Sequence, residues 1–244
     1  VQESKRQIPN TSQHNQPHVS VVIPALDEEE PIGDVVRAIP REIASEVIVV
    51  DNGSTDRTAE VAREAGARVV EESRRGYGRA CRAGVDAVDE ACEIVAFLDG
   101  DGSDCPELLS RLVSPIVEGR YDFVIGSRTR GRREKGSMNF QQLFAGHLAG
   151  VLMRALYGVR YTDMCPFRAV RRDALLKLKM REETYGWNLE MQMKAARAGL
   201  RILEVPVDHR RRAGGESKVS GTLRGTLLAG SRIITTFARI AFGR

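Results

Sequence analysis

Leu98-Asp-Gly-Asp-Gly102 places two carboxylates one residue apart, directly after the apolar run Ile94-Val-Ala-Phe-Leu98. Hard divalent cations take oxygen ligands, and Mg²⁺ or Mn²⁺ characteristically bridges carboxylates to a diphosphate. Asp99 and Asp101 are therefore the candidate metal ligands, and Asp99 with Gly100 a candidate wall of a nucleotide pocket. Gly100 and Gly102 allow backbone and ligand to approach closely. A metal held there acts as a Lewis acid toward a departing diphosphate. A D-x-D pair alone is equally an acidic turn; its position at the end of a buried strand is what argues for the ion.

Further candidates sit in similar places. Asp51-Asn-Gly-Ser-Thr-Asp56 reads as a turn in which Thr55 or Asp56 caps a helix, with Asp51 placed to accept from a base N–H. Glu28, after Pro24, reads either as a favourable first-turn charge or as a pocket-lining acid. Gly76-Tyr-Gly78, preceded by Arg74 and Arg75, either offers backbone N–H groups and positive charge to an anion or is a plain strand-to-helix turn. Tyr185-Gly-Trp-Asn-Leu-Glu190 contains the single tryptophan. Trp187 packs a helix start, and Glu190 is an ordinary helix residue, an orienting group or a base toward a hydroxyl acceptor. A phosphate acceptor is already ionised and needs no strong base, whereas a sugar hydroxyl does. His14, His18, His147 and His209 are scattered and read as surface or packing residues.

These residues need a frame. Val19–Ile23, Glu46–Val50, Ala67–Val70, Ile94–Leu98 and Tyr121–Ile125 are short apolar, β-branched runs that read as buried strands. Pro24 is expected to end the first of them. Helices are expected from the acidic Asp27–Glu30 through about Ile39, over 56–65 with Gly66 as stop, over 78–90, and over 106–118. Alternating strands and helices with continuous apolar strands predict an α/β fold, a mostly parallel sheet covered on both faces. In such sheets ligands bind at the carboxyl ends of the strands, where Pro24, Asp51, Asp99 and Gly126-Ser-Arg128 fall. The second half is less regular: a basic loop over 126–138, a helix over 139–157, strand-like pieces at 167–170 and 202–205, and a helix over 187–198 between them. No internal repeat and no independent second domain is visible.

The bulk composition is ordinary for a soluble globular chain. The 244 residues have 42% hydrophobic and 29% charged content, enough for one large α/β domain. The net charge of +4 suits an anionic partner such as a nucleotide, a lipid phosphate or a membrane surface; no nucleic-acid motif accompanies it. Cys81, Cys92, Cys105 and Cys165 form no C-x-x-C pair or zinc spacing, and read as reduced cytosolic thiols. No apolar run approaches the roughly 20 residues that span a bilayer, and no signal peptide is visible. Residues 1–18 offer little to bury and are expected to be disordered. Residues 219–244 are basic, amphipathic and free of acids, a helix that docks on the domain, contacts another subunit or lies in a membrane interface.

Taken in order, Val21–Glu28, Val49–Asp56, Gly76-Tyr-Gly-Arg-Ala80, Leu98–Asp101, Ile125–Arg128, Thr162–Arg168 and Arg212–Lys218 resemble family 2 glycosyltransferases, across roughly residues 19–220. The branch they look most like is the dolichyl- or polyprenyl-phosphate sugar synthases. The resemblance implies a GT-A, Rossmann-like domain over 19–218 and an inverting, metal-dependent hexosyltransferase. It would use a nucleotide diphosphate-sugar (UDP or GDP) with Mg or Mn. Pro24, Leu26, Glu28 and Asp51 would line the base and ribose pocket, and Arg75 and Gly76 would border it. Asp99 and Asp101 would hold metal and diphosphate, and Arg128, Arg212 and Lys218 would manage phosphate charge. Asp163 would lie near the reacting centre, with Glu190 a further catalytic candidate. The sequence departs from that branch at Gln141–Ala145, where an acceptor-binding arginine is expected, and at Ser103, which replaces a potential extra metal ligand. The implied acceptor is a polyprenyl phosphate at the cytoplasmic membrane face. A soluble hydroxyl acceptor is the alternative, and homo-oligomerisation is left open. A sugar-phosphate nucleotidyltransferase would carry a Gly-rich loop where this chain has Pro24–Glu28.

Overall fold

The computed structural model describes residues 17–214, Thr235 and Phe237–Arg239. Residues 1–16 of the expected disordered lead-in, Lys218 and most of the expected C-terminal helix lie outside the described residues.

Seven strands form one sheet: β1 (Val19–Ala25), β2 (Glu46–Asp51), β3 (Arg68–Glu71), β4 (Ile94–Phe97), β5 (Phe123–Ser127), β6 (Arg168–Arg171) and β7 (Ile202–Pro206), in the order β3-β2-β1-β4-β6-β5-β7. The continuous apolar runs are the central strands, buried on both faces as in a mostly parallel sheet covered by helices: Val21, Val22, Ile23, Ile48, Val49, Val50, Val95 and Ala96 are fully buried. The helices covering them are α1 (Ile32–Ala38), α2 (Thr58–Glu64), α3 (Tyr77–Ala87), α4 (Leu109–Val117), α5 (Phe140–Tyr157), α6 (Arg172–Leu178) and α7 (Trp187–Arg197). A 3-10 turn, Pro106–Leu108, leads into α4.

Several boundaries differ from the sequence expectation. Pro24 does not end β1, which pairs with β2 through Ala25↔Asp51. On its other side the ladder with β4 stops at Val22↔Phe97, so the proline falls beyond that ladder. The first helix begins only at Ile32, because Asp27–Glu29 are spent in loop contacts described below. Helix α3 ends at Ala87 rather than 90. Strand β5 runs on to Ser127, inside what reads as a basic loop. Helix α6 is not foreseen. Strand β6 lies antiparallel between β4 and β5, an insertion that no local pattern announces.

Candidate active site

The first two strand-to-helix loops are tied to one another. Asp27, in the left-handed region at φ 51°, accepts from Thr55 N at 2.7 Å and Thr55 Oγ1 at 3.2 Å, while its own N–H donates to Ser54 Oγ at 2.9 Å. Glu28 N donates to Thr58 Oγ1 at 2.8 Å, and Arg57 N to Glu29 Oε2 at 3.0 Å. Asp51 accepts from Ser54 N at 3.2 Å, and Asp56 accepts from Thr58 N at 3.0 Å at the start of α2. Asn52, buried, is the residue that the sequence reading passed over. Its amide donates to Glu72 O at 2.8 Å and Arg74 O at 3.0 Å, and its Oδ1 accepts from Gly76 N at 2.7 Å. It thereby holds the 72–76 loop beside the end of β2. Pro24, Leu26, Glu28 and Asp51 thus gather at the carboxyl ends of β1 and β2.

The acidic turn after β4 adds the next wall. Asp99 accepts from Tyr77 Oη at 3.1 Å, and its N–H donates to Asp104 Oδ2 at 3.1 Å. Burial, then the charges of Asp101 and Asp104, push the Asp99 carboxyl well above the usual carboxylate range. Burial likewise raises Asp104 to about 7. Asp101 accepts from Ser103 N at 2.9 Å and Ser103 Oγ at 2.6 Å, so Ser103 secures the turn. Gly100 lies buried against Ile23, Ala25 and Ile32. From the far side Arg212 donates to Asp101 Oδ2 at 3.3 Å, to Gly214 O at 2.7 Å, and to Glu28.

His209 is not a surface residue: it is 5% exposed, packed behind the acidic turn. Its Nδ1 lies 3.8 Å from Asp104 Oδ1, and neither atom has a hydrogen-bond partner. Burial pulls the imidazole down to about 4.

Crowded carboxylates pushed toward their neutral form, together with an unsatisfied carboxylate oxygen, are what a hard cation relieves. Among the described residues no group of three or more His, Cys, Asp or Glu side chains is placed to hold a metal ion by itself. Asp99 and Asp101 are the residues that would hold it.

On the other side of β4, Arg128 and Asp163 form a closed pair. The guanidinium donates through Nε at 2.8 Å and Nη2 at 2.7 Å, and Arg128 N adds a third bond at 2.9 Å. Met164 N donates a fourth at 2.7 Å. Burial works against an ionised Asp163, but the Arg128 hydrogen bonds outweigh it and hold the carboxyl below its ordinary range. The Asp163 carboxylate thus takes all four of these bonds from Arg128 and Met164. Glu190 is 1% exposed; it accepts from Arg181 N at 2.9 Å and Glu182 N at 2.6 Å, and pairs with Lys194 at 2.9 Å.

Gly76 is not an open anion cradle. Its N–H goes to Asn52, and a Cβ there would lie 2.3 Å from Glu183 O, as one on Gly78 would lie 2.2 Å from Glu182 O. The glycines let the 76–78 loop press against 182–183. Of the adjacent arginines, Arg74 pairs with Glu72 and Arg75 donates to Gly53 O at 3.3 Å.

The structure also reveals Tyr77, Asp104, His209 and Arg168 around the site. Arg168 on β6 is fully buried and donates to Asn188 O at 3.1 Å and to Cys165 O. Asp104 is signalled only as a third acid in Asp-Gly-Asp-Gly-Ser-Asp104. Tyr77 and Arg168 fall inside the Gly76–Ala80 and Thr162–Arg168 motifs, but only the fold, by joining strands and loops far apart in sequence, brings them and His209 to this place. At the C-terminal side, Phe237 is buried and Arg239 pairs with Glu182 at 2.5 Å.

Comparison with known proteins bears on the family and the fold. The model for glycosyl transferase family 2 matches residues 20–179. An uncharacterised glycosyltransferase of Mycobacterium bovis is 40% identical over 215 residues, covering 86% of this chain and 94% of that one. A polyprenol monophosphomannose synthase of Mycolicibacterium smegmatis is 30% identical over 218 residues, covering 83% and 81%. Among solved structures, glucosyl-3-phosphoglycerate synthase from Mycobacterium tuberculosis in complex with Mn²⁺, UDP-glucose and phosphoglyceric acid superposes with a TM-score of 0.72 at 26% identity, covering 93% of this chain and 80% of that one.

Proposed function

The chain belongs to glycosyl transferase family 2, and from that premise we propose that it transfers a hexose, with inversion, from a nucleotide diphosphate-sugar to a polyprenyl phosphate at the cytoplasmic membrane face. The donor base and ribose lie along Pro24, Leu26, Glu28 and Asp51, and the diphosphate meets the Asp99–Asp101 turn. Mg or Mn, when bound there, supplies Lewis-acid stabilisation of the leaving diphosphate. Arg212, already between Glu28 and Asp101, is placed to follow phosphate charge. Arg128, fixed by Asp163, presents a preorganised cation to the acceptor, so that catalysis rests on positioning and electrostatics. Lys218, outside the described residues, joins this reading only through the Arg212–Lys218 motif.

The observation that carries the acceptor class is that both candidate bases are committed. Asp163 is saturated by Arg128 and Met164, and Glu190 by Arg181, Glu182 and Lys194. A hydroxyl acceptor needs a base; a phosphate monoester attacks through an oxygen already ionised. The relative named as a polyprenol monophosphomannose synthase supports the same reading. A soluble phosphorylated hydroxy acid is the second reading, favoured by the likeness to the phosphoglycerate-bound synthase over 93% of this chain.

The test is a side-by-side assay of UDP- and GDP-sugars with Mn²⁺, offering polyprenyl phosphate or phosphoglycerate. A lipid-linked product of inverted anomeric configuration is expected. A higher kcat/KM with phosphoglycerate would overturn the lipid acceptor in favour of the second reading.

A further inference from the structure

Helix α5 is fixed at both ends. Asn139 and Gln142 form a reciprocal capping box with bonds of 2.8 and 2.9 Å, and Gly158 closes it in the left-handed region at φ 70°. Its inner face lies on the segment that holds Arg128. A Cβ on Gly150 would come within 2.2 Å of Tyr161 O, and one on Gly146 within 3.8 Å of the Asp163 Cα; Ala149 and Met153 are buried alongside.

The outer face is the anomaly. Phe140 is 77% exposed, Phe144 57% and Val151 52%. With His147, Ala155 and Arg154 they recur at helical spacing and share one side. The two phenylalanine rings stack at 6.3 Å between centroids on the exposed side of the helix. The helix contains no acidic residue. The loop that feeds it exposes Arg130, Arg132, Arg133 and Lys135, and is joined to the 207–214 segment through Glu134 N–His209 O at 3.0 Å and Arg211 Nε–Lys135 O at 2.7 Å. Apolar side chains bordered by cations are the pattern of an element that lies in the interface of an anionic bilayer. Among the described residues no helix is long and apolar enough to cross a membrane.

We infer that the outer face of α5, led by Phe140 and Phe144, seats in the interfacial layer of an anionic membrane, with the 130–135 loop against the headgroups. The inference rests on the lipid-acceptor reading and gives it a geometry. The helix that covers the Arg128–Asp163 pair is then also the one that meets the bilayer, so Arg128 is held near the level of a lipid phosphate.

The experiment is vesicle flotation of the full chain with phosphatidylglycerol–phosphatidylcholine or pure phosphatidylcholine vesicles. It compares the wild type with Phe140→Ser/Phe144→Ser and with Val117→Ser, an exposed site on α4 (49% exposed). The wild type and Val117→Ser are expected to float with the anionic vesicles in a salt-sensitive manner. The double variant should lose at least about tenfold in partitioning with an unchanged melting temperature, because the replaced rings are exposed. Equal flotation of the double variant would overturn the inference. So would light scattering that showed a concentration-dependent dimer, lost in the double variant, with no vesicle binding by the wild type; a second copy would then occupy this face. A short-chain, water-soluble polyprenyl phosphate separates this inference from the function. The double variant should use it as the wild type does while failing on the long-chain lipid in vesicles. If the wild type floats through Phe140 and Phe144 yet uses neither lipid phosphate, the acceptor reading fails and the membrane seat stands.

Discussion

Arg212 spans the site, its Nη1 lying 3.3 Å from Asp101 Oδ2 while Nη2 donates to Glu28. One guanidinium thus links the acidic turn after β4 to the loop after β1. It is 24% exposed at the side chain, so under the proposed function a diphosphate arriving beside Asp101 would compete directly for its hydrogen bonds.

Arg212→Ala is expected to lower kcat/KM for the nucleotide-sugar by roughly 10- to 100-fold, the scale of losing one or two charge-assisted hydrogen bonds. Arg212→Lys should recover only part of it, because the ammonium lacks the planar fork. Initial rates at varied donor concentration measure both; wild-type kinetics in Arg212→Ala would remove Arg212 from the donor site.

Asp99→Asn and Asp101→Asn should each reduce turnover by at least about 1000-fold if they hold a charge-stabilising ion. They should also abolish the rise in melting temperature that Mn²⁺ with a nucleoside diphosphate gives the wild type, since ligand stabilisation follows from binding the native state. Without ligand, Asn at 99 is expected to melt at or above the wild-type temperature. The carboxyl is held well above its ordinary range by burial and by Asp101 and Asp104, so its ionised form costs stability near neutral pH. An apo protein that unfolds on this substitution would contradict that account.

Asp163→Asn leaves the Arg128 guanidinium, 12% exposed at the side chain, without its counter-charge. A loss of about 3–5 kcal/mol is expected, the cost of breaking one side of a buried pair. Arg128→Met/Asp163→Leu should be less destabilised than Asp163→Asn, yet inactive if Arg128 meets the acceptor phosphate. Urea unfolding of the three chains, with activity alongside, measures the coupling.

The acid limb of stability should depend on Asp122. Arg201 grips this carboxylate at 2.9 and 2.7 Å, and chiefly its hydrogen bonds lower the Asp122 pKa from 3.8 to about 2. A folded-state pKa below the unfolded one means that the contribution is present above about pH 4 and lost as the pH falls toward about 2. The melting-temperature gap between wild type and Asp122→Asn should therefore close across that window. Arg201 is 51% exposed, so salt should shrink the gap at higher pH as well. A gap that widens on acidification would reverse the sign.

The half of the fold before β5 was legible because its strands are continuous apolar runs and each helix follows a polar strand end. Asp51, Asp99 and Asp101 fell where such sheets bind ligands. Errors there were local, as at Pro24 and the start of α1, where Asp27–Glu29 bond to Ser54, Thr55, Asp56 and Thr58 instead of opening a helix. The second half was less legible. Strand β6 is four residues of Arg-Ala-Val-Arg, flanked by charge and antiparallel to both neighbours, and its place depends on the cleft between β4 and β5 rather than on its own pattern.

By itself the sequence determined the chemistry on offer: carboxylates after β1, β2 and β4, arginines in the later motifs, and an order of motifs resembling one enzyme family. These are local matters of residue type and spacing. Which groups remain available for reaction was decided only by tertiary contacts. Arg128 closes on Asp163 across 35 positions and Arg212 on Glu28 across 184, while Gly76 turns its N–H to Asn52 and His209 is drawn inside. A charge is a base, a strut or a ligand according to what surrounds it, and those surroundings come from remote parts of the chain.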